Sequence, residues 1–498
     1  MTTATIERKT GGGKRIPDSG SRVNPAMEAA RFVSRLARTP RRRTMREFAE
    51  QEFVLPSGPF EGQRFRCDRQ PFTRVWFDAI DSVEKGIGDR VQGITEPSRN
   101  LHPTSYTLSP SWNRFAATGP TQASKTTIAF HIPVLYHLFE IGERVIIGLP
   151  DEDMAADKWF MDLRPVIERT RYRDLLPTVG GGSRGGKVHL IQFQNGAALK
   201  FMTAGGGDKS RAHYTARVVV ITEADGMDTA TSGSREADPV SQIEARTSAY
   251  GERKRIYLEC TTSIESGRIW QERLAGTCSG LALPCPHCHG WCIPKGDESE
   301  RKLLIGWDGA ENELDARERS RFACSLCGAA WSEEERRAAN RRCVLVHKGQ
   351  RIEGIGDRVK GISSDAQNLN PTPYTLHPVV IGDPPKTKTF ALRWGPINNF
   401  FKTAADVGQA EWKARREINE ENALKKLLQF EYALPHKPDA MDLTPLDEQG
   451  ICKRTLPIPR GVVPAWAHWV VMSIDLGKHV GWKWVKAWDA GGRGHVID

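Results

Sequence analysis

A short segment near residue 120 has the composition of a phosphate-binding loop. It follows the apolar residues 115–117, precedes a helix predicted over 128–138, and reads Gly119-Pro120-Thr121-Gln122-Ala123-Ser124-Lys125-Thr126-Thr127. Small residues let backbone N–H groups surround a phosphate, a lysine contacts the terminal phosphates, and a hydroxyl at the helix start binds Mg²⁺. The segment therefore predicts a site for ATP and Mg²⁺. Ser124 stands where glycine is usual, and a helix start with a chance Lys-Thr pair is the alternative.

Two acidic residues follow a second apolar run. Val218–Ile221 is predicted to be a buried strand, and Glu223 and Asp225 come just after it. Parallel α/β sheets place their ligand sites at the carboxyl ends of strands. The pattern resembles a Walker B element, in which one acid holds the Mg²⁺ shell and the next polarises the attacking water. Glu223 fits the second role. Because Thr222 occupies the usual position of the first acid, we expect the metal to be held through water or by Asp225.

A third apolar run, 256–260, ends in hydroxyl side chains. Thr261, Thr262 and Ser263 follow it, at the position where ATP motors sense the γ-phosphate. We predict that these three residues, called here the coupling residues, respond to hydrolysis. Three strand ends of this kind in this order favour a nucleotide site over coincidence.

Two Cys-x-x-Cys pairs predict a bound Zn²⁺ ion. The four predicted ligands are Cys285, Cys288, Cys324 and Cys327. Thiolates presented by tight turns suit tetrahedral zinc, and four sulfur ligands leave no open coordination position, so the predicted site is structural. Four unrelated thiols are the alternative. The neighbouring residues interpreted as bystanders are His287, His289, Cys292 and Cys343.

Alternating strand-like and helical runs must position these residues. The strand candidates are 114–117, 144–148, 198–202, 218–221 and 256–259. This alternation predicts an α/β fold with a parallel sheet of the P-loop NTPase type. Residues 411–430 are predicted to form one amphipathic helix with Ile418 on its apolar side. A proline-rich linker then leads to a strand pair, 469–476 and 482–488.

A repeated segment interrupts this pattern. Residues 86–91 (GIGDRV) recur at 354–359, and each copy continues into a similar stretch rich in Pro, Asn, Ser and Thr. Two distant copies cannot stack as adjacent repeats do. We interpret both as loop-like surface insertions, with a duplicated binding loop as the alternative.

Composition limits the classes of protein to which the chain can belong. The 498 residues allow about three domains. Lys and Arg total 71 against 61 acidic residues, a net charge of +10, which is the sign expected for a protein that handles phosphates or nucleic acid. No apolar run approaches the roughly 20 residues of a membrane span. The amino terminus lacks the apolar run of a signal peptide, so we expect a cytoplasmic protein with reduced or metal-bound cysteines.

The order of these elements resembles the large subunit of lambda-type (GpA-like) phage terminases, the motors that package viral DNA. The segments that carry the resemblance are Glu47-Phe48-Ala49-Glu50, Arg69-Gln70-Pro71-Phe72, 119–127, 221–225, 261–263, the cysteine pairs and 390–435. The likeness covers about 44–498 without the two repeats, which the family pattern does not predict.

The resemblance implies further site residues and partners. Arg211 would lie close to the phosphates, and Arg66 or Arg69 would flank the nucleotide. The implied partners are double-stranded DNA, a terminase small subunit and the portal of a procapsid, with the chain forming a homo-oligomeric ring on DNA. The family also carries an RNase H-like nuclease, and 470–477 look like its first strand, with Asp475 as the leading metal-binding acid.

The chain ends at Asp498, so we expect an incomplete nuclease that does not cleave DNA. A strand-end acid without a catalytic role is the alternative for Asp475. The predicted organisation is a flexible basic arm (1–43), an ATPase domain (44–275, with an insertion at 85–112), a zinc ribbon (276–345), a second insertion (346–380), a helical linker (381–455) and the start of the nuclease (456–498).

The predicted function is ATP-driven translocation of DNA, with contacts mainly to the DNA backbone. One alternative is a helicase-like ATPase of repair or transposition. Another is a zinc-ribbon DNA-binding adaptor with an inactive ATPase site. Ser124 and Thr222 favour this alternative, because they replace residues that are usual in the motifs of active ATPases.

Overall fold

The structure is a computed structural model, and it describes residues 42–92, 112–183, 188–205, 211, 214–230, 237–353, 378–437, 457–476 and 481–498. The chain divides into two compact units, Met1–Lys437 and Pro438–Asp498. The predicted flexible arm and most of both repeat copies lie outside the described residues. Among the residues that the structure does describe, no helix is both long and apolar enough to cross a bilayer.

The first unit is built on β-strands from both sides of the cysteine-bearing segment. In chain order they are β1 (Arg114–Thr118), β2 (Val145–Leu149), β3 (Leu190–Gln192), β4 (Ala198–Thr203), β5 (Val218–Thr222), β6 (Arg255–Glu259), β7 (Gly280–Pro284), β8 (Trp291–Cys292), β9 (Leu304–Ile305), β10 (Arg321–Ala323), β11 (Ala330–Trp331), β12 (Val344–Val346), β13 (Arg351–Glu353), β14 (Val379–Ile381) and β15 (Thr389–Arg393).

A mostly parallel sheet in the order β15-β1-β6-β5-β2-β4-β3 forms the centre of this unit. Only the edge strand β3 runs antiparallel to its neighbour. Every residue of β5 is buried, as expected for a parallel strand covered on both faces. Val218 and Val220 pack in one apolar layer, while Val219 and Ile221 pack in the other. The predicted α/β fold with a parallel sheet is therefore confirmed.

Helices cover the sheet and connect its strands. They are α1 (Met45–Glu52), α2 (Phe72–Gln92), α3 (Thr127–His131, Ile132–Leu135 and Tyr136–Ile141), α4 (Glu152–Asp157, Lys158–Leu163 and Arg164–Glu168), α5 (Pro239–Ala245), α6 (Arg268–Ala275), α7 (Glu313–Arg319), α8 (Glu333–Arg341), α9 (Ala404–Ala414) and α10 (Glu420–Lys426 and Leu427–Tyr432). Short 3-10 turns lie at Cys67–Arg69, Arg173–Leu175, Ala224–Ala230, Ser248–Arg253, Glu298–Leu303 and Pro396–Asn398.

The five predicted strands of the sheet are confirmed to within one residue at each end, but the sheet does not end with β6. Its edge strand β15 pairs in parallel with β1, from Arg114↔Thr389 to Thr118↔Arg393. We had placed this segment in a helical linker. The strand lies after the whole cysteine-bearing insert, so its partner in the sheet is distant in sequence and local pattern does not reveal the pairing.

Helix α2 corrects one end of the first insertion. We predicted a loop from residue 86, but the helix continues to Gln92. Val83, Ile87 and Val91 recur every four residues, which is the helical spacing.

The single helix predicted over 411–430 is wrong, because the chain forms α9 and α10 with a break between them. Asn419 begins α10 by accepting a hydrogen bond from Asn422 N through its side chain. Ile418, which we placed on an apolar face, lies in the break and is fully exposed.

The second unit contains the predicted strand pair. β16 (Trp469–Leu476) and β17 (Gly481–Trp488) are antiparallel, and β18 (Gly494–Val496) extends the sheet. Asp489 closes the turn after β17 by accepting hydrogen bonds from the backbone of Gly491 and Arg493.

A partly buried ionic cluster lies at the amino-terminal ends of β2 and β5. Glu143 accepts hydrogen bonds from Arg217 at 2.7 and 2.8 Å and contacts Nδ1 of His137 at 2.7 Å. Burial alone would raise the pKa of Glu143, but these two partners outweigh it and lower the pKa to about 2. Since the pKa in the folded state lies below the unfolded value, the cluster stabilises the fold above pH 4.5 and less at lower pH.

We therefore expect the free energy of unfolding to fall between pH 5 and pH 3 by about 2 kcal/mol more in the wild-type chain than in Glu143→Gln. Urea unfolding at several pH values measures this difference. Glu318→Gln, at an exposed position, is the control and should keep the wild-type slope. Equal slopes in wild type and Glu143→Gln would refute the assignment.

Candidate nucleotide site and cysteine cluster

The candidate phosphate loop (residues 119–127) leads from the carboxyl end of β1 into α3. At Gly119 a Cβ atom would lie 2.2 Å from the Trp394 ring, so only glycine fits there. Gln122 and Ser124 have φ values of 57° and 68°, in the left-handed region that glycine enters most easily. Ser124 thus adopts the backbone conformation for which glycine is usual, and the departure from the motif does not exclude this loop path.

Lys125 and Thr126 stand at the end of this loop, facing the sheet. Lys125 is 7% exposed, and its Nζ donates to the carbonyl oxygen of Pro120 at 3.0 Å. Burial lowers the pKa of Lys125, while the nearby carboxylates of Glu259 and Glu223 oppose this shift. The Thr126 hydroxyl lies 3.5 Å from Oε2 of Glu259. A lysine, a hydroxyl and acidic groups therefore meet at one place.

Glu223 follows β5 directly, with a φ of 53° that is uncommon outside glycine. Strained backbone of this kind is concentrated at functional sites. Its carboxylate accepts a weak hydrogen bond from the thiol of Cys260, with Sγ and Oε2 3.6 Å apart. Since β1, β6 and β5 are neighbours in the parallel sheet, Glu223 and the candidate phosphate loop lie at the same edge.

Glu259 belongs to this site, although we had interpreted it only as the last residue of a strand. It is 1% exposed, and its Oε1 accepts a hydrogen bond from the Thr222 hydroxyl at 2.5 Å. Burial raises the pKa of Glu259, the charge of Glu223 adds to this effect, and Lys125 opposes it. An acid inside the apolar run 256–260 was the signal that could have identified it.

Asp225 holds the coupling residues. Its Oδ2 accepts hydrogen bonds from Ser263 Oγ at 2.5 Å and Ser263 N at 3.3 Å, and its Oδ1 accepts one from Ile269 N at 2.8 Å. A Cβ at Gly267 would lie 2.5 Å from Oδ2, so the chain passes close to the carboxylate. Both oxygens are used to fix the segment between β6 and α6.

The end of α10 contacts both the candidate phosphate loop and the coupling residues. The N–H of Thr121 donates to Phe430 O at 2.9 Å, and Gln429 Nε2 donates to Ser263 O at 2.6 Å. Thr262 Oγ1 lies 2.8 Å from Thr118 Oγ1 and donates to Ala433 O at 3.3 Å. These contacts link β1, the coupling residues and the end of α10.

The arginines implied by the family resemblance occupy different surroundings. Arg211 is buried and donates to the carbonyls of Thr203 and Ala204 and to the side chain of Gln242. Arg69 stacks over the Phe60 ring at 4.1 Å, and Arg66 is exposed. The roles predicted for these arginines at a nucleotide remain predictions.

Asp475, the remaining predicted catalytic residue, lies on β16 of the second unit. Its backbone pairs with Trp482 of β17. Its carboxylate is not among the described side chains, and its metal-binding role remains a prediction.

The four predicted zinc ligands converge. Sγ atoms of Cys285 and Cys327 lie 3.8 Å apart, those of Cys288 and Cys324 lie 3.9 Å apart, and all four lie within 4.8 Å of one another. Metal–sulfur bonds of about 2.3 Å in a tetrahedron separate the sulfurs by about 3.8 Å, so this thiol set fits zinc.

Matching turns present the two pairs. Gly328 N donates to Cys324 O, and His289 N donates to Cys285 O. In the first pair His289 takes the left-handed conformation (φ 59°) that Gly328 (φ 73°) takes in the second.

We expect about one Zn²⁺ per chain, measured by elemental analysis of protein purified without chelator. Cys288→Ser should lose the zinc and unfold the insert, because the binding free energy of such a site is also folding free energy. Cys292→Ala is the matched control, since Cys292 is buried nearby but lies outside the cluster. Absence of zinc from the wild-type protein would contradict the assignment.

The fold and the sequence were compared with those of known proteins. The fold is a mixed α/β domain whose central sheet is mostly parallel. Residues 102–344, just under half of the chain, match the family described as phage terminase large subunit gpA, ATPase domain. The resemblance to terminase large subunits that we inferred from the sequence is thereby confirmed.

Curated proteins give no match to this sequence. Among solved structures, the large terminase ATPase domain of Thermus phage P74-26 is 14% identical, with 38% of this chain and 73% of that chain covered and a TM-score of 0.24. An arginine-to-alanine variant of the same domain gives the same identity and coverage with a TM-score of 0.23.

Proposed function

We propose that this chain is the ATPase of a DNA-packaging motor of the terminase type, which hydrolyses ATP to translocate double-stranded DNA. The observation that carries the proposal is the meeting of Lys125, Thr126 and Glu223 at the carboxyl edge of the sheet. The family match over 102–344 supports the coupling of that site to DNA.

The residues of the site have separate roles in phosphoryl transfer. The loop 119–127 surrounds the β-phosphate with backbone N–H groups, and Lys125 contacts the β- and γ-phosphate oxygens. Glu223 orients the water and accepts its proton as the oxygen attacks the γ-phosphorus, while ADP leaves on the opposite side. The hydroxyl of Thr126 and a neighbouring carboxylate suit Mg²⁺, which prefers oxygen ligands and would neutralise charge developing on the phosphates.

Hydrogen bonds link the residue beside the γ-phosphate to the coupling residues and to α10, so hydrolysis at the site can move these elements. Glu223 and Asp225 lie in one segment, and Asp225 holds Ser263, so movement of that segment reaches the coupling residues. Ser263 in turn contacts Gln429 at the end of α10. In this proposal α10 is the element that moves with the hydrolysis cycle.

Steady-state ATP turnover with and without long double-stranded DNA tests the proposal. We expect hydrolysis that DNA stimulates and that salt weakens, since backbone contacts release counterions. Binding of ATP without any turnover would instead support the zinc-ribbon adaptor. A preference for single-stranded DNA or for forked duplex would support the helicase-like alternative.

The proposed partners are the DNA, a small subunit, a portal and other copies of this chain in a ring.

For the second unit we propose the first strands of an RNase H-like nuclease, with Asp475 on β16. Two-metal cleavage needs several carboxylates around the metal pair. Asp489 is used in a turn, and Asp498 contacts Lys483 at 2.8 Å, so neither is free for this role. We expect no nicking of plasmid DNA by this chain with Mg²⁺ or Mn²⁺. Nicking that disappears in Asp475→Ala would overturn this expectation.

A further inference from the structure

We propose that Glu259, on β6, holds the Mg²⁺ shell in place of the acid that is missing at position 222. The inference rests on the proposed ATPase function and concerns a residue outside the Walker B segment. Three groups of observations carry it: the orientation of Glu259, the partners of the other acids, and the charge of the site.

Register brings Glu259 to the place where the missing acid would act. β5 and β6 are parallel, and Thr222 pairs directly with Glu259. The Thr222 hydroxyl donates to Oε1 of Glu259, which leaves Oε2 directed toward Thr126 at 3.5 Å. Because the hydroxyl at position 126 is the expected metal ligand of the loop, a carboxylate beside it lies next to the metal position. Thr222 thus acts as a positioning residue for Glu259.

The other two acids of the site have different geometry. Asp225 uses both oxygens on Ser263 and Ile269, so it cannot turn to the metal without releasing the coupling residues. Glu223 follows Thr222 at the end of the strand and accepts a hydrogen bond from the thiol of Cys260. This position suits the role of orienting the water that attacks the γ-phosphorus. These contacts favour Glu259 over Asp225 as the residue that anchors the metal.

Charge also favours a cation between Thr126 and Glu259. Glu259 is buried, and the charged side chains that act on it are Glu223, Lys125 and Lys158. A carboxylate as deeply buried as that of Glu259 is costly to keep charged unless a cation lies directly beside it. A divalent ion that also contacts phosphate oxygens meets this requirement.

The test measures binding of a fluorescent ATP analogue in the presence of Mg²⁺ and of EDTA. We expect Glu259→Gln to keep the affinity measured in EDTA and to lose about 10–100-fold of the gain that Mg²⁺ provides. Glutamine retains an oxygen for the Thr222 hydroxyl, so the hydrogen bond is preserved. Glu265→Gln, at an exposed position near the coupling residues, is the control and should keep the full gain.

A second variant separates metal binding from folding. Thr222→Asp combined with Glu259→Gln returns the acid to its usual position and should restore the Mg²⁺-dependent gain. Electron paramagnetic resonance of Mn²⁺ with ADP should show the same loss and recovery of bound metal. A wild-type gain in Glu259→Gln, equal weakening with and without metal, or no recovery in the double variant would overturn the role of Glu259. Failure of the wild-type chain to bind the analogue under either condition would overturn the ATPase proposal itself.

Discussion

Replacing Glu223 by glutamine is expected to lower ATP turnover by about 10²–10⁴-fold while ATP binding is unchanged. The amide keeps the size and position of the side chain but cannot accept the proton of the attacking water. Binding is retained because the phosphates are held by the loop 119–127 and Lys125. Turnover by a phosphate-release assay, together with ATP binding by calorimetry, separates the two effects.

Asp225→Asn provides the comparison within the same segment. Asparagine can still accept a hydrogen bond from Ile269 N, but it weakens the contact with Ser263. We therefore expect weaker stimulation by DNA, and a loss of basal turnover smaller than that of Glu223→Gln. If Glu223→Gln hydrolyses ATP at the wild-type rate and Asp225→Asn does not, the base is Asp225 and the proposed division of roles is wrong.

Loss of Lys125 is expected to abolish measurable hydrolysis, with a fall of at least about 10²–10³-fold. Its ammonium is the cation of the loop that can reach the β- and γ-phosphate oxygens. The side chain is buried, so Lys125→Met, which keeps most of its volume, accompanies Lys125→Ala and limits the effect on packing. Steady-state turnover and thermal unfolding of both variants give the measurement.

Lys413→Ala is the control for this lysine. Lys413 is about half exposed on α9 and pairs with Glu313, away from the candidate phosphate loop. It should turn over ATP at the wild-type rate. Wild-type hydrolysis by either Lys125 variant would contradict the assignment of the loop as the nucleotide site.

Local patterns in the sequence predicted the centre of the fold well. The strand ends that carry Gly119, Glu223 and Thr261 are short apolar runs followed by small or polar residues, and each was recognisable without its neighbours. The thiol cluster was equally recognisable, because Cys-x-x-Cys spacing is set by local turn geometry and the two pairs need only be brought together.

Features that depend on distant contacts could not be predicted in this way. Pairing of β15 with β1 joins segments on opposite sides of the insert. The break at Ile418 depends on the capping of α10 by Asn419 rather than on apolar periodicity. Glu259 was missed because its role arises from register with Thr222 on the neighbouring strand, and register is not visible in a single segment.

The central claim is that ATP and Mg²⁺ bind at the carboxyl ends of β1, β5 and β6. A structure of the chain with ADP, beryllium fluoride and Mg²⁺ tests it most directly. We predict the β-phosphate within the loop 119–127, the fluoride in hydrogen-bond distance of Lys125 Nζ, and the metal between Thr126 and Glu259. Nucleotide bound at another place, or a loop that stays free at saturating nucleotide, would contradict the account.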